Sequence, residues 1–260
     1  MFNKLLKYDM TYMFKNMWPL YLVLFATSVC IRVFSILDLQ GIFFNGLEGL
    51  ITFANIVSMI LSFGAIVLFS VIRYYKNIYS KEGYLTNSLP VSKTSIILSK
   101  YVSTFLMLLI NIIFVIIGIQ IIGQIDILEI IEFLKTINSE EGLTSLAVYF
   151  LILMILLAPV LYVANIFLAC TLGRKTSKNK ILNSILLYFV INFVIQLISI
   201  IIMGIISLLN SDFKQIFTET TVSPDIISSF LIVFICIIIA LLIINICLNL
   251  FLHKKSFNIE

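Results

Sequence analysis

The chain has 260 residues, 61% of them hydrophobic and 12% charged, with a formal net charge of +4. A soluble domain carries about a quarter charged residues, so this apolar excess cannot be hidden inside one soluble core. The apolar residues also come in long blocks, which names lipid as the solvent and excludes an ordinary soluble enzyme or nucleic-acid-binding protein. The expected fold class is all-α: a polytopic membrane protein with six transmembrane helices, forming one continuous membrane domain over residues 1–260 with no soluble domain attached.

Residues 1–17 read as an amphipathic helix. Phe2, Leu5, Leu6, Met13 and Met17 share one broad face, while Lys4, Lys7, Thr11 and Lys15 lie largely elsewhere. Such a helix lies at the inner membrane interface with its lysines near anionic headgroups; the plainer alternative is a positively charged flank. Basic residues before an apolar run also begin signal peptides, but no small-x-small cleavage pattern follows. Thr27-Ser28-Val29-Cys30 only faintly resembles a lipoprotein site, because Val29 is too bulky. The first apolar run is therefore read as a retained span.

The spans are expected at Trp18–Leu37, Leu50–Ile72, Tyr101–Gly123, Ser145–Leu172, Ile181–Leu209 and Ile226–Leu252. Each reaches about 20 residues or more, enough to cross about 30 Å of hydrocarbon. Between the second and third lies the longest cytoplasmic loop, 73–99. There Pro90 restrains Leu89 from helical geometry, and Ser92 is placed to cap the next helix. Between the third and fourth, residues 124–142 put Ile127, Ile131 and Leu134 on one face, a pattern for a short helix on the outer surface. Cys30, Cys170, Cys236 and Cys247 lie in or beside apolar stretches with no CxxC spacing, and read as buried small apolar residues rather than a disulfide framework.

Charge fixes the orientation. With the N-terminus cytoplasmic, all of the 17 basic residues except Arg32, Lys135 and Lys214 fall on the cytoplasmic side. All of the 13 acidic residues except Asp9, Glu82 and Glu260 fall outside. The positive-inside rule selects this topology, and six spans return the C-terminus to the cytoplasm.

The residue inventory eliminates much chemistry. The one histidine is His253, so a histidine-dependent protease or a multi-histidine metal site lacks its parts. Gly173-Arg174-Lys175-Thr176 is only a near miss to a phosphate-binding loop. No catalytic residue, metal site or cofactor site is expected in this chain. No acidic residue lies well within an expected span, where ion-coupled carriers commonly place one. Arg32 is the one charge inside a span; it either snorkels to the outer interface, toward Asp38, or lines a substrate path.

Uncharged polar residues form two stripes. Tyr188, Asn192, Gln196, Ser199 and Met203 fall within about 80° on the fifth helix. Thr52, Asn55, Met59 and Ser62 make a similar stripe on the second. In lipid these groups need partners, so the stripes face protein or water. They are read as a translocation path or dimer seam, or as plain helix packing. Asn165 with Pro159, and Asn245 with Asn249, invite the same reading. A transporter-like bundle without a motor or an ion-coupling group favours energy delivered by a separate subunit, docked at the basic 73–99 loop.

Here the sequence resembles the permease subunits of bacterial ABC-2 type exporters, over nearly its whole length. The most specific matches are Lys4-Leu5-Leu6-Lys7-Tyr8-Asp9 and Tyr84-Leu85-Thr86-Asn87-Ser88-Leu89-Pro90-Val91-Ser92-Lys93 with Lys100. The resemblance implies a multi-pass plasma-membrane protein of a Gram-positive bacterium. It implies pairing of this permease with a second permease, in a homo- or heterodimer, and association with two cytoplasmic ABC ATPase subunits. ATP and Mg are then bound by those partners. A coupling helix within Tyr79–Leu89 is implied to dock on the ATPase through Glu82, Gly83, Tyr84, Leu85 and Leu89, although for Glu82 a solvated loop acid is the plainer reading. Spans two and five are implied to face the dimer seam, so that Thr52, Asn55, Ser62, Tyr188, Asn192, Gln196 and Ser199 line the path. The implied cargo is a peptide or other amphipathic molecule. The competing readings are an ATPase-independent carrier or channel, and an assembly or regulatory protein with no path.

Overall fold

A computed structural model describes residues 2–37, 41–79, 83, 91–123, 145–174, 179–209 and 224–256, with 145–148, 224–225 and 254–256 described in backbone only. Six helices account for nearly all of them: α1 (Phe2–Leu37), α2 (Ile42–Tyr79), α3 (Lys93–Ile122), α4 (Ser145–Gly173), α5 (Lys180–Leu209) and α6 (Pro224–Ser256). Each is long and apolar enough to cross a membrane. The protein is a six-span membrane protein, and the faces its helices leave exposed are rich in Leu, Ile, Val and Phe, as contact with lipid requires.

Several helices begin earlier or end later than hydropathy alone suggests. The expected N-terminal helix is present but is not a separate element: α1 runs unbroken for 36 residues through Pro19. The reason lies in its buried face. Asp9, Met13, Met17, Tyr21, Leu24, Ser28 and Ile31 recur at spacings of three and four, so one packing stripe continues across the expected boundary at residue 17. Tertiary contact along that stripe outweighs the N–H that Pro19 cannot donate. Likewise α2 starts at Ile42 rather than Leu50 and runs past Ile72 to Tyr79. Ser92 caps α3 as expected, its hydroxyl accepting from Ser95 N at 3.3 Å. The far end of α3 is closed by Gly123 in the left-handed conformation (φ 70°).

The backbone clusters into two compact units, Met1–Ile131 and Glu132–Glu260. In the first, α1 packs along both α2 and α3. Pairing of Asp9 with Lys100, Tyr21 with Phe114 and Leu24 with Gly118 shows that α1 and α3 run parallel. Pairing of Asp9 with Arg73 and of Ser28 with Asn55 shows that α2 runs antiparallel to them. Small residues let these helices approach closely: Ser58, Ser62 and Ser70 lie on the buried face of α2. A Cβ on Gly118 would sit 2.5 Å from Leu24 Cδ2.

The second unit is built on the same plan. Its first helix, α4, packs along both α5 and α6. The Gly173–Ser184 contact makes α5 antiparallel to α4, and the Asn165–Asn245 and Thr171–Asn249 bonds make α6 parallel to it. In both units the first helix contains the internal proline, Pro19 or Pro159. In both, the second helix presents an asparagine to the first, Asn55 or Asn192. One difference stands out: α5 has no fully buried residue.

Candidate functional sites

The strongest electrostatic feature is a buried ionic node at the basic end of the first unit. Asp9 is 1% exposed and Lys100 2%. One carboxylate oxygen of Asp9, Oδ1, accepts from both Lys100 Nζ and Arg73 Nε, the latter at 3.1 Å. Oδ2 accepts from Ser99 Oγ at 3.3 Å. The Arg73 guanidinium also lies 4.7 Å from the centre of the Tyr12 ring. One acid thus joins α1 to α2 and α3, and the node carries one more positive than negative charge. A buried charge must be paired, because its desolvation is expensive. Sequence reasoning did not foresee this site. Its signal was present in Asp9 as the only acid of the N-terminal segment, and in the appearance of Asp9 and Lys100 in the two motifs that carry the resemblance.

The loop stretch expected to couple to a partner lies beside this node in sequence. Glu82, Tyr84, Leu85 and Leu89 lie outside the described residues. Gly83 is described and buried. A Cβ there would sit 2.5 Å from the Ile78 carbonyl oxygen, so a side chain at this position would press on the backbone near the end of α2.

The two polar stripes have different surroundings. On α2, Asn55 Nδ2 donates to Thr27 Oγ1 at 2.8 Å, to Ser28 Oγ at 2.9 Å and to the Leu24 carbonyl at 3.3 Å. Ser62 is buried and bonds to its own helix at Met59 O. Both sit in the packed contact with neighbouring helices, while Thr52 is exposed and bonds to Glu48 O. On α5, by contrast, Tyr188, Asn192, Gln196, Ser199 and Met203 all line one cavity of about 890 Å³ between α4, α5 and α6. Asn192 closes a chain of amides across that unit. Asn245 Nδ2 donates to Asn165 Oδ1 at 2.8 Å, and Asn165 Nδ2 donates to Asn192 Oδ1 at 3.0 Å. A second polar rung, Thr171 to Asn249 at 2.7 Å, lies further along α4 and α6.

No protein-family model, curated protein or solved structure matches the chain.

Arg32 is exposed on α1, and its guanidinium lies against Gly123, where a Cβ would be 2.5 Å from a terminal nitrogen. The cation thus sits at the C-terminal end of α3, the favourable end of that helix dipole. Asp38, the partner considered from sequence, lies outside the described residues. Of the cysteines, Cys170 is buried, but Cys30, Cys236 and Cys247 are exposed on their helices. That corrects the expectation of four buried thiols: in lipid, an apolar-facing thiol satisfies the same preference without protein around it.

Two polar groups in the core of the first unit stand apart. Asn111 is fully buried, and among the described residues neither its amide nitrogen nor its oxygen has a partner; the buried hydroxyl of Tyr21 also lacks one there. An unmatched buried amide costs about 1–3 kcal/mol. Asn111→Leu should therefore stabilise the protein, raising its unfolding midpoint in detergent. A fall in that midpoint would show that the amide is satisfied by water or a ligand in the folded protein.

Proposed function

We propose that the chain is the membrane-spanning permease subunit of an ATP-driven exporter of the ABC-2 type, acting with a separate ATPase. The observation that carries this reading is the ionic node. Arg73 lies just before the end of α2 at Tyr79, and Lys100 lies shortly after α3 begins at Lys93. Asp9 ties both to α1. A force applied to the loop between α2 and α3 is thereby delivered to three helices at once rather than dissipated in local bending. A transporter driven from outside the lipid needs such a junction.

Three further points support the reading. The chain has no phosphate-binding loop of its own. Asp9 and Lys100, one from each of the two matches to this family (Lys4–Asp9, and Tyr84–Lys93 with Lys100), meet in the node. The polar stripe of α5 faces a cavity large enough for an organic molecule. In this reading two permease subunits associate with two ATPase subunits in the plasma membrane, Glu82, Gly83, Tyr84, Leu85 and Leu89 contact the ATPase, and the cargo is a peptide or other amphipathic molecule.

The shared plan of the two units favours a second reading, a carrier that works without an ATPase, because many such carriers are built from repeats. One experiment separates the two. Purified from its native membrane in mild detergent, the protein should carry an ATPase subunit, and disruptive changes across 79–89 should release that subunit. Uphill transport on an ion gradient by the reconstituted chain alone would select the carrier.

A further inference from the structure

We infer that the cavity between α4, α5 and α6 is a binding site for an uncharged amphipathic molecule, one with an aliphatic or aromatic body and a neutral hydrogen-bonding head. Its walls are chemically divided. The α6 side offers Phe230, Phe234, Ile237 and Leu241, and the α4 side adds Met154 and Leu161. The α5 side offers the polar groups.

Two of those groups await a partner. Gln196 makes no hydrogen bond among the described residues, and neither does the Tyr188 hydroxyl. They stand eight residues apart on one face, about 12 Å along the helix. Ser199 spends its proton on Ile195 O at 2.9 Å, which leaves its oxygen free to accept. An unsatisfied primary amide within a span is costly, so a guest that both donates and accepts is favoured at Gln196.

Charge and depth narrow the guest. Among the described residues, no Asp, Glu, Lys, Arg or His lines the cavity, so an ionic head would be desolvated without a counter-charge. Gln196 also lies near the middle of α5, which spans Lys180 to Leu209. That places it roughly 20 Å from each helix end. A phospholipid phosphate, held at the surface of a hydrocarbon layer about 30 Å thick, does not reach it. The volume, about 890 Å³, suits a molecule of a few dozen heavy atoms.

As a transported substrate, such a molecule rests on the exporter reading; as a bound guest it does not. The test therefore uses the purified chain in lipid nanodiscs without any ATPase. The probe is dodecanamide carrying a diazirine on its chain, compared with dodecylammonium and dodecanoate carrying the same group. After irradiation, labelled peptides are located by mass spectrometry, with the exposed lipid face of α1 as the internal reference. The amide should label α4, α5 and α6 at the cavity, with unlabelled dodecanamide competing, and both charged probes should label it at least about tenfold less. Gln196→Leu should cut cavity labelling by about three- to tenfold, the worth of one hydrogen bond. Ala158→Phe, which fills the cavity from α4, should abolish it while leaving the α1 reference unchanged.

Labelling that ignores both substitutions would reduce the cavity to ordinary lipid-facing surface and overturn the proposal. So would cross-linking between copies through Gln196→Cys in a chain cleared of its native cysteines, since a second copy would then occupy the cleft. If no ATPase is found with the protein but the labelling pattern holds, the exporter reading fails and the site stands.

Discussion

Asp9→Asn should lower the stability of the protein by about 3–5 kcal/mol, the cost of leaving a buried charge without its counter-ion. The substitution keeps the shape of the side chain and removes its charge. Lys100 is then left 2% exposed with no carboxylate beside it, and Arg73, which shared the same oxygen, becomes a repulsive neighbour. Thermal unfolding in detergent reads the loss directly. The companion change Lys100→Met removes the stranded cation, so the double variant should be clearly more stable than the sum of the single losses. An Asp9→Asn protein that unfolds at the parent temperature would show that the node is fully hydrated, and the proposed transmission of force through it would go with it.

Gly173→Ala should cost about 1–3 kcal/mol by overpacking, a large effect for one methyl group. A Cβ at this position would stand 2.1 Å from Ser184 Oγ, and 2.8 Å from both Ser184 Cα and Ser184 N. The hydroxyl can rotate away from a methyl group; the backbone cannot. The two helices must separate instead. Because α5 runs antiparallel to α4, the strain is passed along the pair to the Asn165–Asn192 bond at 3.0 Å. Unfolding midpoints of Gly173→Ala and of Gly173→Ala with Ser184→Gly should be nearly equal, since losing the hydroxyl leaves the backbone contact in place. Full rescue by Ser184→Gly would show that the contact is a side-chain matter and that the helices are not held at this point.

The six spans were legible because each is a block of apolar residues long enough to cross hydrocarbon. The ends of the helices were not. Residues 2–17 and 73–79 mix lysine, arginine and tyrosine with apolar side chains, so a hydropathy window ends where the packing stripe does not. The stripes on α2 and α5 were both visible as periodic polar residues, and periodicity says only that a face avoids lipid. Whether that face closes on a neighbour, as at Asn55, or opens on a cavity, as at Gln196, depends on which helices pack together. That information lies in pairs such as Asn165 and Asn245, 80 residues apart. The ionic node was hidden for the same reason: Asp9 and Lys100 are separated by 91 positions, and each alone looks like an ordinary interfacial charge.

The partial burial of α5 has a thermodynamic consequence. It rests against α4 and hides no residue completely, so a shift of α5 exposes no side chain of its own that was wholly hidden. Its local opening free energy therefore belongs at the low end for this molecule. Asn179, the residue before α5, has a positive φ of 52°, a conformation asparagine tolerates better than most residues. Admitting a guest beside such a helix requires repacking the α4–α5 seam within the second unit.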